Sequence, residues 1–362
     1  MLNPRSLQEA GESEQRWQAG RPRGLLDGVP CTVKDLIDLA GLPTRRGSPT
    51  TSPDPVTVDA PAVLALKHAG AVIIGKTTTT EFGWKTPGDC PLHGITRNPW
   101  NTALTPGGSS SGAAAAGAAG FRPIHLGTDA GGSVRIPAAW CGLVGLKPSF
   151  GRIPQWPLGA FGHVAVAGPL TRSVRDAALM LSALARADVR DPFCLPDSAR
   201  EWRDGIEQGV KGLRITVLLC PGFDAPASPD SVEAVEEAAQ IFADAGAEVH
   251  DEYPGLPDMG EAFAQVWATA LAVVVAGIDP GRRGMLDAGI LEAANADLSA
   301  IDLIRTEAAR VQAAHAMARL HLRYDLVLCP TIPGPRRQRT RLWSTRGSAC
   351  CRTGRRGRSR II

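Results

Sequence analysis

The sequence predicts an α/β fold in which helices cover a central sheet. Three observations predict it. Helical and strand-like patterns alternate along most of the 362 residues. A hydrophobic content of 44% at this length is enough to bury a large core. An almost pure Ala/Gly stretch, Gly112 to Gly120, leads into a short apolar run, Ile124-His125-Leu126, which is the pattern of a tightly packed helix entering a buried strand.

Taken in order, Gly28-Val29-Pro30-Cys31-Thr32-Val33-Lys34-Asp35 is an apolar, β-branched run that carries a lysine at its end. A helix near 60–69 leads to a strand at 71–75. The small-residue helix follows, with Ser109, Ser110 and Ser111 placed to cap it. Thr171 to Ala187 reads as an amphipathic helix. Beyond it come a strand at Leu213 to Leu219, a helix at Ser231 to Ala245 and a strand at Ala247 to His250. Helices at about 259–277 and 301–322 precede a strand at Asp325 to Cys329. The polar segment Arg190 to Lys211 reads as a loop rather than a domain boundary.

Gly70-Ala71-Val72-Ile73-Ile74-Gly75-Lys76-Thr77 matches the G-x-x-x-x-G-K-[ST] phosphate loop in letters only. In a phosphate loop the residues between the glycines form an irregular cradle after a strand. Here those residues, Ala71 to Ile74, are themselves the strand, so no nucleotide site is expected.

The chemistry concentrates in two glycine-serine clusters. Gly107-Gly108-Ser109-Ser110-Ser111-Gly112 and Gly131-Gly132-Ser133 place Ser109 and Ser133 24 residues apart. A Gly/Ser run alone is most often a flexible linker, but linkers do not continue into a small-residue helix and a buried strand. Glycine pairs let backbone amides approach a ligand, and serines held in such turns are candidate nucleophiles or proton relays. Lys34 follows Cys31 and Val33 into an apolar setting. A buried lysine loses hydration and favours its neutral, basic form.

These residues resemble the amidase signature family. The match includes the lysine motif at Lys34, the GGSSS run and Gly127-Thr128-Asp129-Ala130-Gly131-Gly132-Ser133. It extends to Lys76–Phe82, Asn98-Pro99-Trp100-Asn101, Gly142–Pro148 and Gly168–Val174, covering roughly residues 24 to 185 and more weakly to about 334. Ser111 stands where many members carry glycine. The resemblance implies a single domain over 1–335, with a central mixed β-sheet covered by helices on both faces. It implies an amidase cleaving a carboxamide to a carboxylate and ammonia. Ser133 would be the nucleophile, Ser109 the bridging serine after a cis Gly108–Ser109 bond, and Lys34 the final base. The amides of Ala130, Gly131, Gly132 and Ser133 would form the oxyanion hole, with Thr128, Asp129 and Arg135 supporting it. No cofactor is implied. The alternatives are the glutaminase subunit of a tRNA-dependent amidotransferase and an inactive remnant.

Composition narrows the remaining classes. No apolar run approaches the roughly 18 residues of a membrane span, and the N-terminus lacks the apolar core of a signal peptide. Eight scattered cysteines without a CxxC pair favour free thiols, and seven histidines without HExxH spacing give no metal site. A cytoplasmic enzyme acting on a small-molecule amide is expected; a homodimer is compatible with it, and a membrane partner is not. From Arg336 the chain carries ten arginines and no acidic residue, so the rest is net negative although the whole is +3. This 336–362 tail departs from the family pattern. It is expected to be disordered or frame-shifted, attached to a domain shortened at its N-terminus and incomplete at its C-terminus, and no nucleic-acid binding is expected of it. Substrate choice is expected to lie in the loops Trp84 to Arg97 and Pro154 to His163.

Overall fold

The structure is a computed structural model that describes residues 1–197, 201–219, 227–252, 255–297 and 299–334. The arginine-rich tail therefore lies outside the described residues. The chain divides into two compact units. One is Met1–Gln208 with Gln265–Leu298, and the other is Gly209–Ala264 with Ser299–Pro335. The division falls inside the Arg190 to Lys211 segment that reads as a mere loop. Among the described residues the later strands pair with each other and build a sheet of their own.

The first unit begins with helix α1 (Ser6–Gln18), fastened by Asp27. That carboxylate accepts from Ser13 Oγ at 2.8 Å, from Arg16 Nε at 2.9 Å and from the Arg23 amide at 2.6 Å. Strand β1 (Pro30–Lys34), helix α2 (Pro61–His68) and strand β2 (Val72–Thr77) follow. Helix α2 starts with proline at its first position and ends on Lys67 and His68, the arrangement favoured by the missing proline N–H and the helix dipole. β2 carries the G-K-T letters as ordinary strand, parallel to β1. A short antiparallel pair, β3 (Asp89–Cys90) and β4 (Gly94–Ile95), precedes helix α3 (Ser111–Ala118). Next come β5 (Ile124–Asp129), α4 (Arg135–Cys141), β6 (Val144–Gly145), β7 (Val166–Thr171) and α5 (Val174–Leu184).

The main sheet runs β2-β1-β5-β7-β6. It is mixed, as expected: β1 is parallel to β2 and β5, whereas β7 is antiparallel to β5 and β6. β7 is absent from the sequence reading because Gly168 and Pro169 sit in its middle, and both residues weaken a strand assignment. Thr171, which reads as the start of a helix, belongs to this strand instead, and α5 begins at Val174. Ser173 caps it by accepting the Asp176 amide at 3.1 Å.

Strand alternation then sorts β1 onto two faces. Cys31 and Val33 join the larger core with Leu66 of α2, Met180 and Leu184 of α5, and Ile124 and Leu126 of β5. Thr32 and Lys34 turn to the face that α3 and α4 cover, where Ala113, Ala114, Val134 and Ala138 pack around Leu170. The alanines of α3 thus serve close approach to the sheet.

Helix α6 (Pro229–Asp244) and strands β8 (Arg214–Val217) and β9 (Glu248–His250) belong to the second unit. Helix α7 (Gly260–Ala276), from Gln265 onward, and helix α8 (Ala288–Ala294) belong to the first. Helix α9 (Ala300–His321) opens with a reciprocal cap between Ser299 and Asp302, and β10 (Leu326–Leu328) completes the small parallel sheet β10-β8-β9.

Candidate active site

β1 delivers Lys34 at its C-terminal end, and β5 delivers Thr128 and Asp129 at its own. The two strands are in parallel register, with Val33 beside Leu126, so the ends lie together. The loop into α3 brings Ser109 to the same place. Lys34 has no exposed surface. Its Nζ lies 2.7 Å from Ser109 Oγ, 2.9 Å from Thr128 Oγ1 and 3.3 Å from the Thr128 carbonyl oxygen. Burial pushes the lysine down to about 7, against the opposing pull of the Asp129 charge. With two N–H groups directed to Thr128, the neutral amine can turn its lone pair toward the Ser109 hydroxyl.

The Gly108–Ser109 peptide is cis. Ser110 stands at the N-cap of α3, yet its hydroxyl donates to the Thr128 carbonyl at 3.3 Å instead of capping the helix. Its amide donates to the Ser133 carbonyl at 3.1 Å, tying the two glycine-serine clusters together. Ser133 is 8% exposed and lines a cleft together with Ser109, Thr128 and Ala130.

Asp129 organises the turn that carries Ser133. Its wholly buried carboxylate accepts from the amides of Gly132 (2.8 Å), Val134 (3.1 Å) and Arg135 (3.2 Å), and from Arg135 Nε and Nη2 at 2.9 and 2.8 Å. Burial alone would push this carboxyl up; the guanidinium and the amides hold it below its usual range. Gly132 has φ +108°, and a Cβ there would lie 2.6 Å from Ile136 Cδ1, so the turn requires glycine. The Gly132 amide, one of the four implied oxyanion donors, gives its hydrogen to Asp129 Oδ1.

A second buried lysine supports the arrangement from behind. Lys76 Nζ reaches Asp35 Oδ1 at 2.7 Å, Thr44 Oγ1 at 2.9 Å and the Pro43 carbonyl at 3.0 Å. It thereby fixes the residue that follows Lys34. This is the role of the lysine in the false phosphate-loop match.

Serine, serine and lysine are thus gathered at one mouth of the main sheet, in the sequence motifs of a single family. The family profile named Amidase matches residues 1–345. The chain belongs to the amidase family. Amidases of this family cleave amide C–N bonds, and that is the reaction class of the chain. It is 35% identical to an acylamidase of Rhodococcus erythropolis over 329 residues, 90% of this chain and 69% of that protein. It is 42% identical to a glutamyl-tRNA(Gln) amidotransferase subunit of Roseiflexus castenholzii over 242 residues, 67% of this chain and 49% of that protein. The chain thus spans about half the length of this amidotransferase relative. Among solved structures, a bacterial aryl acylamidase superposes with a TM-score of 0.85 at 30% identity, over 94% of this chain and 74% of that one. Among the described residues no helix is long and apolar enough to cross a membrane.

The sequence motifs mark the polar residues of the cleft but not all of its wall. The cleft, about 470 Å³, is lined by the 154–161 loop as expected. Residues 84–97 do not line it; Trp84 instead lies behind it, where its ring packs so closely on Gly289 that a Cβ there would sit 2.3 Å away. A further part of the wall comes from the end of α7 and the residues just after it, Val273, Val274, Gly277 and Ile278. The signal was present: Ala270 to Ala276 is apolar all round, which marks a helix covered on more than one side.

Proposed function

We propose that the amidase acts through a Ser133 acyl-enzyme, with Ser109 relaying protons between Ser133 and Lys34. Ser133 Oγ gives its proton to Ser109 Oγ while the Ser109 proton passes to Lys34 Nζ. Ser133 Oγ then bonds to the amide carbonyl carbon. The negative charge on the carbonyl oxygen is taken up by the amides of Ala130, Gly131 and Ser133, the three of the expected set that Asp129 leaves available. The C–N bond breaks as the proton returns from Lys34 through Ser109 to the leaving nitrogen. Water, activated by the same relay, hydrolyses the ester to the carboxylate and restores Ser133.

The observation that carries this reading is the buried 2.7 Å contact between Lys34 and Ser109, with the lysine held near pKa 7 by its burial. A base with that pKa is half neutral at the pH where it must accept a proton. The likeness to an amidotransferase component supports a second reading, glutaminase action beside a partner protein. Ammonia release from glutamine that depends on an added partner would select it. Labelling with an activated fluorophosphonate followed by peptide mass mapping tests the proposal: the adduct is expected on Ser133, and an adduct on Ser109 or Ser110 instead would assign the nucleophile elsewhere.

A further inference from the structure

The wall of the cleft that holds Ser133 is largely apolar. Trp156, Leu158 and Val273 are 40%, 46% and 56% exposed, although each is a large hydrophobic side chain, and all three line the cleft that holds Ser109 and Ser133. Exposed apolar side chains that converge on one concavity mark a binding surface rather than random exposure. Among the described residues the only charged groups in the lining are Asp38 and Arg46, which face each other at 3.9 Å and compensate one another.

This wall is held in place from behind. Trp267 of α7 donates its Nε1–H to the Trp84 carbonyl at 2.9 Å and packs on Phe161 with ring centroids 4.5 Å apart. Leu271, Leu286 and Ile290 form a small core against Phe82 and Phe161. Asp287 closes the clamp: its amide donates to Glu81 Oε2 and its carboxylate accepts from Lys85 Nζ, at 2.7 and 2.6 Å. In the 154–161 loop, the Gln155 amide donates to Asp191 at 2.8 Å and the Arg190 guanidinium lies 5.3 Å over the Trp156 ring. Both apolar walls are therefore pre-organised, which lowers the entropy lost when a ligand is bound.

We infer that α7 and the 154–161 loop select an amide bearing an uncharged apolar group of about phenyl size, and that Val273 is a specificity-determining residue for it. This rests on the reading of Ser133 as the nucleophile for the chemistry, but not for the binding. An amino-acid amide such as glutamine carries both an ammonium and a carboxylate, and the described lining offers no uncompensated charge for either. A phenyl ring buried against this apolar lining removes its own surface and that of the lining from water.

The test uses the full chain with phenylacetamide, acetamide and L-glutamine as probes. Ammonia release is expected to give phenylacetamide a kcat/KM at least about 100-fold above acetamide, and Val273→Asp is expected to shrink that ratio about tenfold or more. Calorimetric titration of Ser133→Ala with the same probes reads binding without turnover. Tighter binding of phenylacetamide, weakened by adding Val273→Asp, supports the inference even if no ammonia is released, in which case the acyl-enzyme reading fails alone. Equal affinity for phenylacetamide and acetamide, preference for glutamine, or a ratio that Val273→Asp does not move overturns it.

Discussion

Lys34 Nζ meets Ser109 Oγ at 2.7 Å across 75 residues of chain, at a position with no solvent exposure. A charged lysine there would be poorly solvated, so the fold itself selects the basic form. Activity should therefore rise with pH through a midpoint at about 7, as Lys34 loses its proton, and level off above it. Lys34→Ala should lower kcat by about 10²–10⁴-fold and abolish this ascending limb. Initial rates from pH 5 to 9 check both; a midpoint that survives in Lys34→Ala would assign it to another group.

Asp129 raises the proton affinity of Lys34 through its charge. Asp129→Asn keeps much of the shape but removes that charge. The midpoint of the pH profile should therefore move below its wild-type value. The turn amides and the Arg135 guanidinium lose a charged acceptor, and unfolding should become easier by about 1–3 kcal/mol. A pH profile and a denaturant titration on the same preparation separate the two effects. An alkaline displacement of the midpoint would contradict the electrostatic account.

Gly132→Ala places a Cβ at φ +108° and 2.6 Å from Ile136 Cδ1. The strain should cost about 1–3 kcal/mol of stability. It should also displace the Ser133 turn, so that kcat falls more than KM changes. A variant with wild-type kcat would show that the turn has room to relax.

His125 is wholly buried, with Nδ1 2.7 Å from Thr32 Oγ1 and Nε2 without a partner among the described residues. Burial holds it down to about 4, below its ordinary 6.5. The unfolded chain then binds a proton that the folded chain refuses between those values, so stability is full above about pH 6.5 and declines as the pH falls toward 4. The loss should approach about 3 kcal/mol, and His125→Gln should flatten it. Urea unfolding at pH 7.0, 5.5 and 4.5 measures the slope; identical slopes for wild type and variant would place the titration elsewhere.

How much of this is legible in the sequence differs by element. The sequence predicts α2, β2, α3 and α6 to within a few residues, because period and punctuation are local properties. β7 is not legible, since Gly168 and Pro169 argue against a strand and only its neighbours β5 and β6 make it one. The second unit is hidden for a similar reason: β8, β9 and β10 read as continuations of one sheet, and strand pairing is a non-local choice.

The motifs by themselves marked Lys34, Ser109, Ser133 and the glycines around them as the candidate set, because they stand at family spacings. Only the tertiary structure decided their states. It buried Lys34 on the α3 face of β1, drew the Gly132 amide to Asp129, and brought the end of α7 into the lining of the cleft that holds the serines. Burial, hydrogen-bond competition and packing depend on residues far apart in sequence. A motif names the groups, and their three-dimensional surroundings set proton affinity, donor availability and the shape of what can bind.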